Sequence, residues 1–381
     1  MALVLGSVVV WGERAAPSPQ APGPIQTFTG GGKVSPALTG GAGIWADVEK
    51  LRTRSTTGEA WRAIVADADD LGRGDEGADV ADQDSNHDQL VLAASLVCVR
   101  LRAADACQEA ERGLLEAIGT EEGGRWLAIG RNLGSYVIAA DVLGLRADRE
   151  PRSSGTRIDH WIRSFLTVEL KSNNSGDDAM FVPFSSGSNA SAQEGFVYAA
   201  VAAYLRDRVA LDRAWDAFRR YACDPSAPDP QKIDLRRGVE YGWAHDSGDP
   251  CAVNPKGSEK DGVRIDGALI NDMRRGGAFA HPPEPTSYPW VGVEGFVPAA
   301  LVLQRAGYPA FEVADRAVLR SMDYLWWLRQ VTGERDWFDG KRAAETIQIV
   351  NAVYGTEFPL KKPAGGGRTV GYTDWTHPVA G

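Results

Sequence analysis

NHDQLVLAASLVCVRLRAA, residues 86–104, decides the fold class. Leu90, Ala94, Val97 and Leu101 recur at steps of three and four residues, the spacing that lines up side chains along one face of an α-helix. Ser85 or Asn86 stands where an N-cap is needed, which puts His87 in a capping context. The same period marks residues 125–143, 157–170, 194–206, 211–221, 292–305, 313–328 and 342–354. Hardly any segment alternates as a strand would. The chain therefore reads as about ten helices or more, an all-α protein.

No exact short repeat occurs, so a stacked array of the TPR or ankyrin kind is not expected. Helices of this length must bury their apolar stripes against one another, and a closed ring of antiparallel hairpins does so around a central cleft. The expected architecture is an incomplete (α/α) toroid with long cleft-lining loops, one domain over residues 44–381. Residues 1–43 are rich in Pro, Gly, Ser and Thr and read as leader and linker. Their start, MALVLGSVVVWGERAAPSPQAPGP, has the apolar run and small residues of an export signal but no basic n-region. A secreted or periplasmic location is expected from it.

The 381 residues carry a formal charge of -10, which argues against a nucleic-acid partner, because affinity for phosphate backbones comes from clustered Lys and Arg. A local basic cluster can oppose the global sign, so an acidic substrate is compatible with it. No apolar stretch reaches the roughly 20 residues that cross a bilayer, and no membrane partner is expected. Cys98 and Cys107 lie close in sequence, as do Cys223 and Cys251; they are two local disulfides or four inert buried thiols. No zinc spacing, phosphate-binding glycine loop, GxSxG elbow or HExxH motif occurs. No cofactor is expected, calcium in the acidic stretch SGDDAM, residues 175–180, being the one weak candidate.

Three long loops interrupt the helices, at 171–189, 223–262 and 274–290, and their Trp, Tyr, His and Arg content points to function rather than disorder. GRNLGSYVIAADVLGL carries Arg131, Asn132, Tyr136, Ala139, Ala140 and Asp141, KSNNSG carries Asn173 and Asn174, and YPWVGVEGFVPAALVLQRAGY begins at Tyr288. With IVNAVYGTEFP and GGGRTVGYTDWTHP near the end, these segments together resemble the alginate-lyase-like polysaccharide lyases, over most of the chain from about Asp84. The resemblance implies an incomplete α/α toroid and cleavage of a 4-linked, uronate-containing polysaccharide, alginate- or glucuronan-like. It also implies an Asn-Asn loop, a catalytic tyrosine at Tyr288, and substrate contacts at Asn132 and Tyr136. Where the family often has His or Trp after the paired asparagines, this chain has Ser175, and Asn189 is a second candidate for the asparagine site.

Such a lyase removes the proton at C5 and expels the oxygen at C4. The adjoining carboxylate must be neutralised first, and one well-aimed donor is worth about 3 kcal/mol in the transition state. Asn173 and Asn174 can donate without titrating; on spacing alone a turn is the commoner explanation, and the resemblance turns the reading toward a carboxylate clamp. Tyr288 is the expected base and acid, assisted by His281, with Arg275 and Arg274 as cations. Arg236, Arg237, Tyr241, Trp243 and His245 form a second cluster that suits a subsite wall, and His245 competes with His281 for the catalytic role. Trp326 and Trp327 read as core, His377 as part of a packed tail, and His160 as structural or cleft-lining.

Two other classes fit the same residues. A glycoside hydrolase on a toroid would use paired carboxylates, for which Glu194, Asp246, Asp272, Glu284 and Glu294 are candidates. A non-catalytic carbohydrate-binding toroid would explain Ser175.

Overall fold

A computed structural model describes residues 34–35, 40–74, 77–146, 153–171, 178–228, 241–248, 250–273, 278–361 and 365–379. Its helices are α1 (Val48–Leu51), α2 (Glu59–Arg73), α3 (His87–Leu101), α4 (Ala104–Ala117), α5 (Trp126–Leu143) and α6 (Ser154–Ser164). They continue with α7 (Asn189–Leu205), α8 (Arg208–Tyr221), α9 (Tyr288–Arg305), α10 (Val313–Thr332), α11 (Ala344–Tyr354) and α12 (Thr373–Thr376). Strand structure is confined to two small antiparallel hairpins, β1 (Glu169–Lys171) with β2 (Asp178–Met180), and β3 (Glu259–Lys260) with β4 (Val263–Arg264). The chain is all-α in class.

The helices divide by composition into two sets that alternate along the chain. α3, α5, α7 and α9 are apolar round nearly their whole circumference and are buried accordingly, as is α11. α2, α4, α6 and α8 bury a single stripe, such as Trp61, Ile64 and Leu71 on α2 or Ala210, Leu211, Ala214 and Phe218 on α8, and turn charge outward. The buried helices neighbour one another in the order α3, α5, α7, α9, α11, and each return helix packs outside them. On α10, Ala314, Asp315 and Arg316 are left-handed, so its regular helix begins at Ala317.

Close glycine contacts show that neighbouring inner helices run in the same direction. Cβ atoms at Gly130 and Gly134 of α5 would meet Gln193 and Phe196 of α7 in turn, and those at Gly292 and Gly295 of α9 would meet Asn189 and then Ala192. A Cβ at Gly295 would collide with backbone atoms of Ala192 and Gln193, which cannot rotate away. Gly295→Ala is therefore expected to cost about 1–3 kcal/mol, read as a lower denaturant midpoint at unchanged m-value.

The loop after α11 and the short α12 finish the core. Ser135 Oγ on α5 donates to the Thr369 carbonyl at 3.1 Å, Tyr372 OH donates to Asp67 at 2.8 Å, and α12 touches both α11 and α2. Gly371 is packed so tightly against Gln89 Oε1 and the Gly365 carbonyl that no side chain fits. Trp45, ahead of α1, lies edge-on to His377, whose Nε2 faces the Trp45 carbonyl at 3.1 Å. The tail reading of His377 fits this burial.

Both cysteine pairs are disulfides, Cys98–Cys107 and Cys223–Cys251, which decides between the two readings of the sequence. Some element bounds differ from those expected. The segment 157–170 is helical only to Ser164 and passes into β1 at Glu169, after Thr167 and Val168, residues that favour extended backbone. α7 begins five residues before the expected 194, because the Ser188 side chain accepts from the Ser191 N–H and caps it. Asn86 is the N-cap residue of α3 but makes no side-chain cap bond. Trp326 and Trp327 are partly buried against the core, and His160 is exposed.

Candidate active site

Because the inner helices are parallel, their N-termini gather at one end of the molecule. Asn189 opens α7 and Tyr288 opens α9, the helix beside it. The Asn189 Cα lies 3.8 Å from where a Cβ would stand on Gly292, one turn beyond Tyr288. Pro289, whose fixed φ suits a first helical turn, follows Tyr288, and the Tyr288 side chain is half-buried. Asn189 Nδ2 donates to Asp272 Oδ1 at 2.8 Å, and Asp272 is almost wholly buried. That bond fixes the amide plane, leaving the second N–H and the carbonyl oxygen of Asn189 as further bonding groups.

Buried carboxyls stand in the first two turns of α3, α7, α9 and α11. Glu194 on α7 accepts from Ser185 Oγ at 2.9 Å, and burial raises its pKa to about 8 against the weaker opposing effect of that bond. Asp88 on α3 is raised to about 7 by burial, although Gln89 Nε2 donates to it at 2.9 Å. Glu294 on α9 and Glu345 on α11 are both raised, first by burial and, for Glu294, then by the neighbouring charge of Glu345. Arg368, Arg131 and Arg342 act on Glu294 in the opposite direction. Gln193 Nε2 reaches the Val291 carbonyl and Thr369 Oγ1, both at 3.5 Å, so the loop holding Thr369 is tied to α5 and α7 together. Gln193 Oε1, Glu294 Oε2 and Arg131 Nε are buried without a hydrogen bond among the described residues, where buried polar atoms are ordinarily bonded.

Of the residues expected to form the site, Tyr288 and Asn189 stand at the N-termini of adjacent helices. His281 does not join them by any described contact: it is exposed and its ring stacks on Trp327 of α10, with centroids 5.9 Å apart. Partial burial lowers its pKa, favouring the neutral imidazole that a base requires. His245 is exposed, and its backbone N–H donates to Asn254 Oδ1 at 2.9 Å. Trp243 corrects the subsite reading, since its ring is fully buried edge-on to Phe279 at 4.7 Å and offers no face to a sugar. Tyr241 begins a short 3-10 helix ending at Trp243.

Asn132 and Tyr136 also depart from a substrate-binding role. Asn132 is buried and its Nδ2 donates to the carbonyls of Val80 and Asp82, at 3.1 and 2.6 Å, holding the loop before α3. Tyr136 is buried with its hydroxyl 2.8 Å from His87 Nδ1. Asn173, Asn174, Arg237, Arg274 and Arg275 lie outside the described residues, as do Ser175 to Asp177 of the acidic stretch. Among the described residues no group of three or more His, Cys, Asp or Glu is arranged to hold a metal. Asp88, Glu345 and Arg368 are the members of this region that the sequence reading did not single out.

No protein-family model matches the chain, and no curated protein matches it significantly. Among the described residues no helix is long and apolar enough to cross a membrane.

Proposed function

We propose that this protein is a secreted polysaccharide lyase that cleaves a uronate-containing chain by β-elimination at the end of the molecule where α7 and α9 begin. In this reading the alternating inner and outer helices curve into an incomplete (α/α) toroid, with the N-terminal mouth as the substrate cleft. One observation carries the proposal: a neutral amide, Asn189, and a phenol, Tyr288, open adjacent parallel helices. Two disulfides are compatible with an oxidising compartment.

The chemistry follows from those two groups. Asn189, held by Asp272, directs its remaining N–H toward the uronate carboxylate and lowers the cost of charge building up at C5. Arg274 and Arg275 follow Asp272 by two and three residues in sequence and supply the cation for the same carboxylate. Tyr288 takes the C5 proton as phenolate and returns a proton to the departing C4 oxygen, so no net proton is gained or lost. Parallel helices with their N-termini on one side present their positive dipole ends to an acidic ligand, which helps a chain of net charge -10 to hold one.

Incubation with a panel of polyuronates tests the reading, because elimination leaves an unsaturated uronate that absorbs in the ultraviolet. Rising absorbance supports a lyase; new reducing ends at flat absorbance would defeat it. That second outcome would favour a hydrolase, the reading supported by the buried carboxyls of Glu294 and Glu345, the first raised by burial and then by the charge of the second. Their burial weighs against it, because carboxyls withdrawn from solvent are out of reach of a polysaccharide.

A further inference from the structure

At the other end of the inner helices, where α5, α7 and α9 finish, lies a cavity of about 480 Å³. Five arginines line it, Arg52, Arg146, Arg206, Arg208 and Arg305, against two carboxylates, Asp141 and Glu49. In a chain with more acidic than basic residues, this is a local reversal of sign.

Structural duties account for part of the cluster. Arg305 donates to the carbonyls of Gly43, Gly40 and Gly41 at 3.0 to 3.3 Å, and Arg146 bonds Asp141 at 2.6 Å and the Tyr204 carbonyl at 3.0 Å. Arg52 meets Glu49 at 2.6 Å. Cations at helix C-termini also answer the negative dipole end, which covers Arg206, the C-cap of α7. Arg208, the first residue of α8, pairs with Asp212 at 3.2 Å and lies over the Tyr308 ring at 4.7 Å, both outside the cavity lining. The Arg206 guanidinium makes no hydrogen bond or ion pair among the described residues and stands at the cavity wall.

We infer that this cavity is a second binding site, taking a compact ligand with two or more oxyanion groups, phosphate or carboxylate. Its volume suits a small molecule rather than a polymer strand. A guanidinium engages an oxyanion in the planar, two-pronged way that carboxylate and phosphate share, and the positive field of five lining arginines favours such a ligand at Arg206. The site lies apart from the proposed cleft and does not depend on the lyase reading.

Calorimetric titration of the full chain at low ionic strength, with pyrophosphate and with citrate, tests it. Saturable one-to-one binding of either supports the site. A preference for pyrophosphate would assign phosphate esters as the ligand source, and a preference for citrate would assign polycarboxylates. Arg206→Asn with Arg208→Ala, the Asn chosen because it tolerates the left-handed backbone at 206, is expected to weaken binding at least about tenfold. Arg52→Gln should weaken it too, in a variant whose helix lies elsewhere, so that misfolding of one variant leaves the other to decide. Tyr288→Phe should leave it unchanged. Absence of saturable binding with both anions overturns the inference, as does undiminished binding in variants whose circular dichroism matches the parent.

Discussion

On the proposed mechanism Tyr288→Phe is expected to remove ultraviolet product formation almost entirely, with kcat reduced by about 10²–10⁴-fold and KM within about twofold of the parent. The reason lies in the phenol: on the proposed mechanism one hydroxyl both accepts and returns the proton, and phenylalanine keeps the ring while deleting it. Tyr288 is half-buried at a helix start, so the substitution leaves the packing of α9 intact. Steady-state kinetics on whichever polyuronate the parent cleaves makes the measurement. A variant retaining more than about a tenth of parental kcat would show that the proton leaves by another route and would remove Tyr288 from the mechanism.

The second large effect concerns stability against pH. Burial raises Asp88 from 3.8 to about 7 and Glu194 from 4.5 to about 8, so the folded state holds protons that the unfolded state has released. Their stabilising effect is complete below the unfolded values and is lost as pH rises through the folded ones. Glu294 and Glu345, also raised, act in the same direction. His377 opposes on the acid side, since burial lowers it from 6.5 to about 3 and stability is lost as pH falls below 6.5. Above that pH the unfolded histidines finish losing their protons and the raised carboxyls dominate. From Asp88 and Glu194 together, unfolding free energy should fall by about 3 kcal/mol between about pH 6.5 and pH 8.5. Urea denaturation at a series of pH values reads the slope, and Asp88→Asn with Glu194→Gln should flatten it. A parent curve flat over this interval would mean that these groups titrate normally.

The helices were legible where their patterns were local. Leu90, Ala94, Val97 and Leu101 announce α3, and the outer helices show one apolar stripe each because their other face meets water. The start of α7 was not, because Asn189 to Gln193 are small or polar and the periodic signal begins only after them; Ser188 was the available cue. Asn132 and Tyr136 drew attention as a motif, yet their partners, Val80, Asp82 and His87, lie about 50 residues earlier, and no local pattern carries such pairings. Trp243 misleads for a related reason, since a tryptophan beside arginines looks like a sugar platform until Phe279 is found against it. Buried acids are hardest to see, because a lone glutamate in a helix normally faces solvent, and only the packing of α9 between α7 and α11 removes Glu294 from it.

The pairing of Trp45 with His377 joins the earliest and latest parts of the core, across more than three hundred residues. Partly made chains leaving the ribosome therefore expose the flanks of α2 and α11 until residue 377 has emerged. Translational pausing before residue 377 emerges would prolong that exposure and favour capture by holdase chaperones.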